Sequence, residues 1–262
     1  MYDAVKIDRL SLRRLLRGVG TLYSLFLLAI IWEIVAQLGL VRGIFLPQLS
    51  AVILLIPKLA LAGDLIQPLF VSLYRAAGGL LLALIIGVTL GFVMARNRIV
   101  RFLLEPLVSF GFSSPKIAFL PIFILWFGID HLSKVLIVAL TSVFPFIVSA
   151  YEGARNVTTN QLWAARAMGT SNTSLLWRIV LPAAMPSLMS GLRVAVPYAL
   201  TTAFTAEMIA GGGGLGGALV LAQRYFETPT VFAYILVMLA TGYALDMAFI
   251  AARRRLLHWH EG

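Results

Sequence analysis

A chain of 262 residues that is 60% hydrophobic and only 12% charged, with a mean hydropathy of +0.94, is a polytopic membrane protein, because a soluble domain carries about 25% charged residues. It has no cysteine, which excludes disulfides and thiolate chemistry, and its histidines, His131, His258 and His260, form no metal-ligand cluster with carboxylates. In so apolar a chain the net charge of +10 reports membrane orientation rather than nucleic-acid binding.

Residues 1–19 carry Lys6, Arg9, Arg13, Arg14 and Arg17 and read as a cytoplasmic amphipathic segment. Residues 21–40 form the first expected span, long enough for the hydrocarbon core and too long for a signal peptide. Glu33 lies inside it, and its reading is a hydrogen-bonded carboxylate near the outer interface. Residues 41–71, interrupted by Pro47, Pro57 and Pro68, read as outer loop and interfacial helix. The second span is 73–95, where Gly78, Gly79, Gly87 and Gly91 permit close helix packing. The third, 103–127, is broken by Pro106, Pro115 and Pro121, with Ser113, Ser114 and Lys116 near its middle. Irregular backbone and a lysine at membrane depth belong where they face protein or a water-filled path.

The fourth span, 135–151, contains Pro145. A polar, basic loop over 153–185 follows. Thr158 and Gln161 have capping-box spacing, residues through Met168 are mostly helix formers, and Gly169 suits the left-handed position past a helix end. A second helix starts at 170–173 and is expected to end at Pro182. The fifth span, 187–208, carries Arg193 near its inner end, with Thr201, Thr202 and Thr205 on its outer half and Glu207 at the outer end. Gly211–Gly217 reads as a flexible outer loop. The sixth span, 231–252, contains Asp246, and a basic tail closes the chain.

With these spans, 14 of the 21 lysines and arginines fall on one side and five on the other. That asymmetry predicts an all-α polytopic fold with six transmembrane helices and both termini cytoplasmic. The polar loop is then cytoplasmic. The glycine run lacks the G-x-x-x-x-G-K-[S/T] of a phosphate loop, H-E-x-x-H and G-x-S-x-G are absent, and no hydrolytic site is found.

The polar loop resembles the cytoplasmic motif of ABC importer permeases: E-A-A, three residues, G, nine residues, I-x-L-P. Ala164, Ala165, Gly169, Ile179, Leu181 and Pro182 fall on it at the same spacing, and Trp163 stands where glutamate is usual. Over residues 45–260, the stretches FLPQLSAV, SLYRAAGG, EPLVSFGFSSPKIAFLPIFILWFGI, GLRVA, AEMIAGGGGLG, VFAYIL and RRRLLHW look like the nitrate/sulfonate/taurine class of type I importer permeases.

The resemblance implies a permease subunit in the bacterial inner membrane that carries a small polar or anionic solute such as nitrate, a sulfonate or taurine. It implies a second permease copy, two ABC ATPase subunits holding ATP and Mg, and a periplasmic or lipid-anchored binding protein. The chain itself would bind no cofactor or metal and catalyse no reaction. Gln161, Leu162, Trp163, Ala164, Ala165, Arg166, Met168, Gly169 and Thr170 would form the ATPase-coupling helix. Ser113, Ser114, Lys116, Thr201, Thr205 and Glu207 are candidate pore-lining groups. A stand-alone secondary transporter or channel is the alternative, and it predicts internal repeats, of which no clear one is visible.

Overall fold

The computed structural model describes residues 23–157 and 159–256, and these divide into two compact units. The N-terminal segment 1–19, the start of the first expected span, Thr158 and the tail from 257 lie outside the described residues, so the capping box at Thr158 does too.

The smaller unit holds α1 (Tyr23–Gln37), α2 (Leu49–Ala62) and residues 222–233. Its polar side chains tie α1 to the start of α2. The Glu33 carboxylate accepts from Ser50 Oγ at 2.7 Å, Ser50 N at 3.1 Å and Gln37 Nε2 at 2.7 Å. Trp32 Nε1 donates to the Pro47 carbonyl at 2.9 Å, and its ring lies 5.3 Å from that of Phe232. Glu33 is thus a fully engaged structural carboxylate, which satisfies free N–H at a helix start.

In the larger unit, three long helices pack side by side: α3 (Ile66–Arg96), α6 (His131–Arg155) and α9 (Leu181–Ala210). The face of α3 turned to α6 is a stripe at every fourth residue, Gly79, Ala83, Gly87 and Gly91, all buried. Without a hydrophobic drive between helices in lipid, such small residues gain association by letting backbones approach. A Cβ on Gly87 would stand 2.6 Å from Phe146 Cβ and 2.8 Å from the Val143 carbonyl, whereas one on Gly78 would meet Val135 at an ordinary 3.6 Å. Gly87→Leu is therefore expected to lower stability by about 1–3 kcal/mol through overpacking, while Gly78→Ala leaves the thermal midpoint of the purified protein close to wild type.

Among the described residues four helices, including α11 (Thr228–Leu256), are long and apolar enough to cross a membrane. The expected third span is two pieces, α4 (Arg98–Ser113) and a 3-10 turn Lys116–Phe119 leading into α5 (Leu120–Phe127), bent by 97°. Counting the bent pair as one gives five spans among the described residues. Described residues 23–37 of the first expected span form a helix of 15 residues, about 22 Å long.

The loop between α6 and α9 contains α7 (Thr159–Ala167), the single turn α8 (Asn172–Leu175) and a π turn Leu176–Val180. Pro182 does not end the second helix, as its type alone suggests. The π turn, with Leu181 N donating to the Leu176 carbonyl, carries the chain directly into α9, where Pro182 sits in the first turn. Inside a regular helix proline loses a backbone bond and its ring clashes with the preceding turn, and the wider π turn just before it accommodates both. Residues 176–210 are thus one apolar helix, and Arg193 stands at its midpoint rather than near an end.

Candidate functional site

The strongest polar constellation is buried where α3, α6 and α9 meet the glycine run. Arg75 Nη1 pairs with Glu207 Oε1 at 2.8 Å, and neither side chain is more than 1% exposed. The other carboxylate oxygen accepts from Ser72 Oγ at 2.7 Å and from Gly216 N at 3.1 Å. Arg75 also donates to the carbonyls of Gly213 at 3.0 Å and Gly212 at 2.6 Å, and its Nε lies 3.3 Å from His131 Nδ1. Leu215 N donates to Ser72 Oγ at 2.9 Å. Lys134, also buried, donates to the carbonyls of Ile129 and Asp130.

This arrangement sets the glycine run in one shape. Gly211, Gly212, Gly213 and Gly214 all have φ between 68° and 85°, where side chains are strained. Glu207 and Ser72 then take the first free N–H groups of α10 (Gly214–Arg224), as a helix start requires. A Cβ on Gly214 or Gly216 would run into Glu207. The expected flexible loop 211–217 is therefore corrected: half of it is helix, and the rest is held by a buried arginine. Lys134, expected just before the fourth span at 135, lies inside α6, which already begins at His131, while Arg75 lies inside α3 as it does in the expected second span. The carboxylate of Glu207, a candidate pore-lining group, is fully buried among these partners.

Ser113, Ser114 and Lys116 gather at the break between α4 and α5. Both hydroxyls donate to their own helix, to Ser109 O at 3.4 Å and Phe110 O at 2.7 Å. Lys116 Nζ donates to the carbonyls of Phe112 at 3.1 Å and Ser114 at 3.3 Å and lies 5.3 Å from the centre of the Phe144 ring. Its charge meets the negative end of α4 and satisfies carbonyls freed by the break.

Thr201 and Thr205 belong to a different place, a cavity of about 410 Å³ between α9 and α11. Arg193, Phe204, Tyr243 and Asp246 also line it. Arg193 Nε and Asp246 Oδ1 are 3.8 Å apart, with side chains 52% and 38% exposed. Thr205 Oγ1 donates to the Thr201 carbonyl at 2.7 Å. Neither Arg193 nor Asp246 was among the candidate site residues. The available signal was a cation and a carboxylate inside apolar spans, which mark function by default.

On α7, Gly169 has φ +77°. Gly169 N donates to Arg166 O at 2.9 Å and Thr170 N to Ala165 O at 3.1 Å, the paired bonds of a Schellman stop. Ala165 is 1% exposed and packs with Val157, Leu175 and Val180. Trp163 and Met168, with Ala164, Arg166 and Ala167, are turned outward. Gln161 and Leu162 lie within α7, their side chains outside the description.

A three-helix core with a broken span, a clamped end and a short exposed helix between its last two long members has known counterparts. Residues 79–257 match the family model described as binding-protein-dependent transport system inner membrane component. The chain is 33% identical over 253 residues to the taurine transport system permease protein TauC of Escherichia coli (strain K12), covering 95% of this chain and 91% of that one. It is 31% identical over 231 residues to the putative aliphatic sulfonates transport permease protein SsuC of Bacillus subtilis (strain 168), covering 88% and 84%. A chain of the MetNI methionine ABC transporter has the same fold, with TM-score 0.62 over 71% of this chain and 93% of that one at 16% identity.

These matches define a multi-pass permease subunit of an ABC importer. The chain belongs to the binding-protein-dependent transport system inner membrane components.

Proposed function

We propose that this permease forms the path for a small sulfonate, and that the cavity between α9 and α11 is part of it. The observation that carries this reading is Arg193. It is a half-exposed guanidinium at the midpoint of an apolar helix, opening on a cavity with the hydroxyls of Thr201, Thr205 and Tyr243. Guanidinium groups suit oxyanions because their fixed donors match paired oxygens. The names of the relatives supply the substrate class. Asp246 balances Arg193 when the path is empty.

The rest of the transporter follows from the same reading. The basic-residue asymmetry supports α7 on the cytoplasmic side and six spans with both termini cytoplasmic. The outward-facing Trp163 and Met168 support α7 as the contact to an ATPase subunit that holds ATP and Mg. Two permease copies and a binding protein complete the assembly. Trp163, where the motif usually has glutamate, makes that contact apolar.

Uptake of labelled taurine into proteoliposomes holding the assembled transporter tests the reading. Arg193→Leu is expected to raise the half-saturating concentration roughly tenfold or more, the value of one hydrogen-bonded charge, and Arg193→Lys to lie between. Unchanged saturation in Arg193→Leu would remove the cavity from the path.

A further inference from the structure

We infer that a groove at the α7 end of α3 is a binding site for one anionic phospholipid. The groove has a volume of about 380 Å³ and lies between the last turns of α3 and the π turn that leads into α9. Val88, Phe92, Val93, Leu176 and Leu181 make its walls, and Arg96, Asn97 and Trp177 stand at one end. From Val88 to Arg96 the slot runs about 12 Å along α3. It is thus apolar along its length and cationic at its mouth, the shape of a lipid with its phosphate at Arg96.

The charges at the mouth have no protein partner among the described residues. Arg96 is exposed and pairs with no carboxylate, and neither do Arg98 and Arg178, which flank the lining residues Asn97 and Trp177 in sequence. The Asn97 carboxamide oxygen caps α4, accepting from Ile99 N and Val100 N, which leaves its NH2 as a neutral donor beside Arg96. The charge that meets an anion here is arginine's. Trp177, 64% exposed, is the residue type that settles at the headgroup level. Basic pockets between helix ends are where anionic headgroups bind. A second copy seated here by symmetry would bring its own unpaired arginines against these, so the observed charge selects a lipid.

Occupancy reaches α7. Phe92 and Leu176 line the groove and also pack against the cluster of Val157, Ala165, Leu175 and Val180 that seats α7. A lipid chain in the groove supports that seat from behind.

The test uses the full transporter in nanodiscs of phosphatidylcholine with a minor share of a phosphatidylglycerol carrying a photoreactive acyl chain. Adducts are expected on peptides spanning 88–97 and 176–181. Unlabelled phosphatidylglycerol should compete better than phosphatidylcholine, and Arg96→Gln should cut that preference about fivefold. Val93→Trp, which fills the slot, should abolish labelling in a transporter that still elutes as an intact assembly. Labelling confined to other helices, equal competition by the two lipids, an unchanged preference in Arg96→Gln, or adducts joining two permease copies through Trp177 would each overturn the site.

Discussion

Glu207→Ala, with Arg75 left in place, is expected to destabilise the permease by about 3–5 kcal/mol, the usual result of stranding one half of a buried ion pair. Arg75, 1% exposed, would keep its charge with only the Gly212 and Gly213 carbonyls and His131 as partners. Gly216 N would lose its acceptor, and the start of α10 would loosen. In detergent the variant should show a lower thermal midpoint and poor recovery as a single species. Glu207→Gln should fall between, since an amide still accepts from Ser72 or Gly216 but cannot balance Arg75. The double variant Arg75→Met/Glu207→Leu should recover part of the loss, because replacing both partners by apolar groups removes the unpaired charge, while the two glycine carbonyls remain orphaned. Wild-type stability in both single variants would show that the cluster is not what holds the glycine run.

The second large effect is expected at Ala165. Ala165→Arg places a charge where the wild-type residue is 1% exposed among Val157, Leu175 and Val180, and an unpaired charge in an apolar site costs several kcal/mol. The cheapest relief is for α7 to lift off its seat, while α3, α6 and α9 keep their packing. The protein should therefore insert and purify, bind its ATPase subunits weakly or out of register, and lose uptake by more than about tenfold, with ATP hydrolysis no longer stimulated by loaded binding protein. Gly169→Val should act in the same direction, because its φ of +77° excludes a β-branched residue. Ala164→Ser, on the exposed side of the same helix, is expected to change little. Full coupling in Ala165→Arg would show that the seat of α7 does not transmit the ATPase motion.

The contrast between these two places explains what could be read from the chain. The stop of α7 was legible because its signals are local: helix formers, then glycine at the left-handed position, all within one turn. The small-residue stripe of α3 was half legible, since Gly79, Gly87 and Gly91 stand out while Ala83 does not. The broken third span announced itself through Pro115 and its flanking serines, but not its angle of 97°. The buried cluster was not legible. Arg75 and Glu207 lie 132 residues apart, and a glycine run looks flexible until a guanidinium is placed under it. The helix α6 also begins at His131, before the expected span, so Lys134 passed for a loop residue. Pro182 misled for the opposite reason, since a local rule about proline yields to a π turn that only the continuous helix reveals.

The central claim is that this chain carries sulfonate only as one part of an ATP-driven assembly. The direct measurement is taurine uptake into proteoliposomes prepared twice, once with the permease alone and once with its ATPase subunits, binding protein and ATP. Uptake is expected only in the second preparation, and to vanish there when ATP is withheld. Uptake by the permease alone at a comparable rate would contradict the account and make the chain a stand-alone transporter or channel.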